Sequence, residues 1–138
     1  MFGSPRESAS HLVKLAKSKT RSDLTRAAEV SNLKSFRGWE LRDVAQASWA
    51  LTELKQPFSL DLALDRFLKL SARSRREISA KGVDWAQMSV AVAAAAEHGR
   101  AVEFFRRLAD WAESNASGLS PVDILVLSSS LCHFASRL

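Results

Sequence analysis

The stretch DVAQASWALTEL, residues 43–54, decides the fold, because the chain writes it again. Residues 84–95 read DWAQMSVAVAAA and residues 123–134 read DILVLSSSLCHF, offset by 41 and then 39 positions. Asp43, Asp84 and Asp123 keep register, as do Ser48, Ser89 and Ser128. Ala45 with Ala86, Gln46 with Gln87 and Ala50 with Ala91 match in the first two copies. Apolar and small residues recur at helical spacing, and no stretch alternates long enough to argue for a strand. Small side chains at matched helix positions let neighbouring helices approach closely, while the slot of Trp49, Val90 and Ser129 varies in bulk.

Each copy is followed by a second helical pattern. After residues 40–54 comes SLDLALDRFLKLSAR (59–73), with Pro57 ending the first helix and Ser59 placed to cap the second. Residues 84–98 lead to Gly99, read as a C-terminal stop, and then to AVEFFRRLADWAES (101–114), which ends near Gly118. In the third copy Ser120 is a cap, Pro121 takes the first helical position and Asp123 reaches back to the helix start. Glu40 and Lys81 hold the Ser120 position in the other copies, so Asp43 and Asp84 are alternative caps there. A hairpin of about 40 residues cannot bury its apolar face alone, so such units stack. The expected architecture is therefore all-α, a right-handed α-solenoid of helical hairpins. Residues 1–38 form a basic N-terminal helical pair, followed by units at 39–81, 82–118 and an incomplete 119–138.

Composition sets the bounds. With 138 residues and 46% apolar content, the chain can build one domain with a real core. No apolar run approaches the roughly 18 residues of a membrane span. The single cysteine, Cys132, excludes an internal disulfide and is read as a small buried residue beside a surface His133. The net charge of +5 is uneven. Residues 1–42 carry nine Lys/Arg against four Asp/Glu, residues 43–81 seven against five, and residues 82–138 four against six. The first 22 residues are loosely similar to an organelle transit peptide but too weakly patterned to be read as one.

Little in the chain suggests catalysis. His11, His98 and His133 form no metal-ligand pattern with Cys132, and neither a phosphate-binding glycine loop nor a nucleophile elbow occurs. The Ser128–Ser130 run is read as packing and solvent positions. No enzyme activity, cofactor, metal or small-molecule substrate is expected, and no membrane partner. Basic residues carry the functional lead: Lys14, Lys17, Lys19, Arg21 and Arg26 in the N-terminal pair, and Arg73, Arg75, Arg76 and Lys81 in the loop between units. Such groups neutralise phosphates, with binding that weakens as salt rises. Arg106 and Arg107 are read as an ordinary solvated helix face. Trp49 is read as core, and Trp39, next to Arg37 and Gly38, as a contact for a partner.

The first unit resembles the octotricopeptide-type repeat, related to helical arrays that precede the RAP domain in organellar proteins. Asp43, Ala45, Trp49, Ala50, Leu51 and Leu54 fit its first helix, and Ser120, Pro121 and Asp123 supply its opening in the third copy. The second unit lacks the tryptophan, and no RAP-like segment follows. Tetratricopeptide and pentatricopeptide periods are shorter, whereas HEAT-type repeats fit on length. The resemblance implies an organelle, the mitochondrion with the chloroplast as alternative, and RNA as partner. The resulting expectation is a non-catalytic protein that braces RNA among neighbouring proteins in a ribonucleoprotein, best matched by the mitochondrial ribosome. The alternative is a protein–protein scaffold subunit without RNA contact.

Overall fold

Four of the helices carry an acid in their first turn, and in three of them, those of Asp43, Asp84 and Asp123, it stands at the third position and fixes the helix start. The computed structural model describes residues 39–55, 58–72 and 80–137, with Arg6, Glu7, Ala9, Ser10, Val13 and Lys14, which are helical. The architecture is all-α, and no strand occurs among the described residues. The helices whose bounds lie among the described residues are α1 (Leu41–Glu53), α2 (Leu60–Ala72), α3 (Gly82–Ala95), α4 (His98–Asn115) and α5 (Pro121–Ser136). A 3-10 turn, Ala116–Gly118, joins the last two. Glu40, Lys81 and Ser120 are the N-caps of α1, α3 and α5, so Asp43, Asp84 and Asp123 lie one turn inside. Asp84 accepts the backbone N–H of Lys81 at 2.9 Å, and Asp123 accepts that of Ser120 at 3.1 Å. Only Ser120 returns the bond, its Oγ accepting from Asp123 N–H at 3.1 Å. Each carboxylate thus satisfies a donor that the helix start would leave open.

Helix α3 lies between α1 and α5. It buries Trp85, Ala86, Met88, Ser89, Ala91, Val92 and Ala93 around most of its circumference, as a helix covered on several sides must. Small residues keep the spacing short. Ser89 Oγ reaches Ser130 Oγ of α5 at 3.0 Å, and Gly82 sits against Asp123, Gly118 and Leu119. At the other end Arg137, just past α5, donates to the carbonyls of Val92, Ala93 and Ala96 at the C-terminus of α3. Contacts at matching ends make α3 and α5 parallel. Helices α2 and α4 pack beside this row. Leu60, Ala63, Leu64, Phe67 and Leu68 form the buried stripe of α2, and Ala101, Phe104 and Leu108 that of α4. Their aromatic rings meet Trp85, with centroids 5.0 Å away for Phe67 in an edge-on contact and 5.4 Å for Phe104. Such ring pairs contribute about 0.5–1.5 kcal/mol each beyond area burial.

One helix boundary differs from the sequence reading. Gly99 does not stop α3. The break falls at Ala96 and Glu97, whose extended backbone separates the helices, and Gly99 lies in the first turn of α4. Helix α1 ends through Lys55, which adopts φ 55°, a left-handed conformation usually supplied by glycine.

Candidate nucleic-acid interface

The site is built from cations that the helices leave in solvent. Of the nine residues selected from sequence, Lys14 and Lys81 are described, and both are exposed. Lys17, Lys19, Arg21, Arg26, Arg73, Arg75 and Arg76 lie outside the described residues. Lys81 gives its backbone N–H to Asp84 as the cap of α3, which fixes its Cα while its side chain stays free to reach outward. Arg42 stands beside it, its Nε 3.8 Å from Asp84 Oδ1, with about half of its side chain exposed. Arg42 and Lys81 therefore flank one buried carboxylate where α1 and α3 begin.

That carboxylate decides what the edge can bind. Parallel helix starts concentrate partial positive charge and would suit an anion. Asp84 and Asp123 already occupy those backbone donors, so an external phosphate meets the side chains of Arg42 and Lys81 instead. Burial pushes the Asp84 carboxyl above the ordinary carboxylate range; the Lys81 backbone bond and the nearby Arg42 charge oppose the shift. Burial likewise raises the Asp43 carboxyl, against the backbone bond from Glu40. Asp84 Oδ1 has no hydrogen-bond partner among the described residues.

Several other basic side chains are committed to the protein itself. Arg6 pairs with Glu40 at 2.8 Å, Arg66 Nε donates to the Trp39 carbonyl at 3.0 Å, and Arg100 pairs with Asp65 and approaches Glu103. Arg106 and Arg107 are different. Both are exposed, and with His98, Gly99, Val102 and Glu103 they line an open depression of 510 Å³ on α4. Two guanidinium groups against one carboxylate make this depression electropositive. Sequence alone reads the pair as a solvated face, because nothing in FFRRLAD shows that the surface beside it is concave.

The aromatic and polar candidates fall mainly inside. Trp39 is buried in the core, which corrects its reading as a partner contact. Trp39, just before the Glu40 cap of α1, is held there by the bond from Arg66, 27 positions away, a pairing no local pattern reveals. Trp49 is half-buried and packs against the core, while Trp85 is the tryptophan enclosed between helices. Ser48 and Ser89 are fully buried and face neighbouring helices, so neither can read a base. Cys132 is exposed rather than buried, because α5 turns it away from α3. Among the described residues, no helix is long and apolar enough to cross a membrane. No protein-family model matches the chain, and no curated protein or solved structure matches it either.

Proposed function

We propose that this chain is a non-catalytic helical-repeat protein that binds and braces RNA within an organellar ribonucleoprotein, with the mitochondrial ribosome as the assembly that fits best. In this reading the hairpins form a right-handed α-solenoid with a period near 40 residues. The observation that carries the RNA contact is the exposed cationic edge at Arg42 and Lys81, continuous in sequence with Arg73, Arg75 and Arg76. Residues 1–81, with sixteen Lys/Arg against nine Asp/Glu, carry the chain's positive charge and add long-range attraction for a polyanion. Exposed Lys14 is a further candidate contact, and Lys17, Lys19, Arg21 and Arg26 follow it in the sequence. Buried Ser48 and Ser89 leave no polar code on the packed faces, so recognition is of the phosphate backbone and RNA shape rather than sequence. The organelle rests on the octotricopeptide resemblance alone.

Retention on single-stranded RNA across a salt series tests this. With four phosphate contacts, log Kd should rise with log[salt] at a slope of about 3. Crosslinking mapped by mass spectrometry should place RNA on residues 73–81 or 14–26. Protein crosslinks throughout, with no RNA adduct and no salt-dependent retention, would instead favour the scaffold without RNA contact.

A further inference from the structure

The depression on α4 is lined by three rungs of residues, each four positions beyond the last: His98 and Gly99, then Val102 and Glu103, then Arg106 and Arg107. Four residues of α-helix rise about 6 Å, so the rungs span about 12 Å along one face. Their chemistry differs in order. The His98 ring lies against Phe134 of α5 with centroids 5.6 Å apart, and Phe134 stacks on Phe105 at the same separation. That ladder steadies the ring while His98 itself stays exposed. Beside it Gly99 leaves open space, with nothing within 4 Å of where a Cβ would stand. Half-buried Val102 adds an apolar floor. Glu103 comes next, exposed, with Arg100 Nη1 at 3.8 Å while the same guanidinium also pairs with Asp65. Arg106 and Arg107 end the row, exposed and without an ion pair among the described residues.

We propose, resting on the RNA-binding reading, that this depression seats one nucleotide of a single-stranded RNA. Its base lies on His98 and Val102, its ribose 2′-hydroxyl donates to Glu103, and its phosphate sits between Arg106 and Arg107. Base, sugar and phosphate follow one another in a nucleotide as these three rungs do in the helix. A volume of 510 Å³ falls within the roughly 300–1,000 Å³ of small-ligand sites. Glu103 decides the class of ligand. Its carboxylate only accepts hydrogen bonds, so it repels an acidic peptide and finds no donor on a deoxyribose. A ribose supplies the donor, and the 2′-hydroxyl is the group by which a protein tells RNA from DNA. An aromatic face takes any base and a guanidinium any phosphate, so the depression reads the sugar and not the sequence.

Fluorescence anisotropy of the full chain with labelled oligo(rU) and oligo(dU) of equal length tests this. The deoxy strand should bind about tenfold more weakly. Glu103→Ala should erase that gap by weakening RNA binding while sparing DNA. Arg106→Gln with Arg107→Gln should weaken both strands and lower the salt slope by about 1.4. His98→Ala should cost about tenfold on both strands, and His98→Phe should keep the affinity. Unchanged far-ultraviolet dichroism confirms that each variant is folded. Equal affinity of the parent for the two strands would overturn the proposal. RNA binding that survives all the α4 variants but is lost in Arg42→Gln with Lys81→Gln would overturn it too, and would leave the RNA-binding edge of α1 and α3 standing. No RNA binding at all would overturn both. Competition by micromolar 5′-UMP alone would assign the depression to a free nucleotide and overturn its place on RNA.

Discussion

Gly82→Ala tests the spacing of α3 and α5 directly. Gly82 is the first residue of α3, and a Cβ there would lie 2.8 Å from Asp123 Oδ2, 2.9 Å from the Gly118 carbonyl oxygen and 2.9 Å from Leu119 Cδ2. Leu119 Cδ2 is the end of a flexible side chain and can move, but the other two cannot yield cheaply. Asp123 is held by its bond from the Ser120 N–H, and the Gly118 oxygen is backbone. Two effects oppose each other. Replacing glycine by alanine in a helix gains at most about 1 kcal/mol of propensity, and less at the first position. Forcing a methyl group into a packed contact costs about 1–3 kcal/mol, and disturbing the Asp123 cap adds about 1 kcal/mol. The sum is a net loss of about 1–3 kcal/mol, or a fall in Tm of roughly 4–12 °C for a chain of this length. Gly99→Ala is the control. Its Cβ would meet nothing within 4 Å, so that variant should hold or raise Tm. Thermal and urea melts followed at 222 nm measure both. A Gly82→Ala chain as stable as the parent would refute the close approach of α3 and α5.

Four further substitutions probe other parts of the row. Ser48 Oγ is buried without a hydrogen-bond partner, whereas Ser89 Oγ donates to the Ala86 carbonyl at 2.6 Å and lies 3.0 Å from Ser130 Oγ. Ser48→Ala should therefore be neutral or stabilising and Ser89→Ala destabilising by about 1–2 kcal/mol, read from urea midpoints. Lys55→Gly removes a left-handed non-glycine residue and should raise stability by up to about 1 kcal/mol in the same assay. Burial raises the folded-state carboxyl of Asp84 above its ordinary 3.8, so the folded chain holds this proton more tightly than the unfolded one. That contribution favours folding below pH 3.8 and is lost as pH rises through the raised value. Asp84→Asn should therefore gain stability relative to the parent between about pH 4 and pH 7, and parallel pH profiles would contradict the assignment.

The helical class was legible because its signals are local. The recurrence of Asp43, Asp84 and Asp123 marked three helix starts, and Ser120-Pro121 named the third to the residue. The caps at Glu40 and Lys81 were harder to assign, since neither is a residue type that caps well. What fixes them is the carboxylate one turn inside, reaching back to the cap's own N–H. Gly99 misled because glycine suits a helix end equally well just after a stop or within the next start, and a two-residue extended break carries no compositional mark. Trp39 misled for a longer-range reason. Its burial depends on packing that brings Arg66 to its carbonyl, and a residue flanked by Arg37 and Gly38 shows nothing of that.

The functional surface is less legible than the fold for a physical reason that the basic residues illustrate. Arg66, Arg100 and Arg137 resemble Arg106 and Arg107 in sequence, yet the first three spend their charge internally. Arg66 holds the entry to α1, Arg100 joins α4 to Asp65 of α2, and Arg137 closes the carbonyl end of α3. The part-buried bonds of Arg66 and Arg137 to backbone carbonyls are worth about 1.5–3 kcal/mol, and the solvent-exposed Arg100–Asp65 pair about 0–1 kcal/mol. A count of positive charge therefore overstates what remains for a polyanion. The residues available for phosphate are those the fold does not use, and at the edge of α1 and α3 they are Lys81 and the exposed half of Arg42. Arg42 serves both roles, screening buried Asp84 from one side while facing solvent on the other. Phosphate binding at this edge would draw Arg42 away from Asp84 and raise the cost of that buried charge. Under the proposed RNA-binding function, phosphate contact and the stability of α3 would be coupled through a single guanidinium, and Asp84→Asn should loosen that coupling.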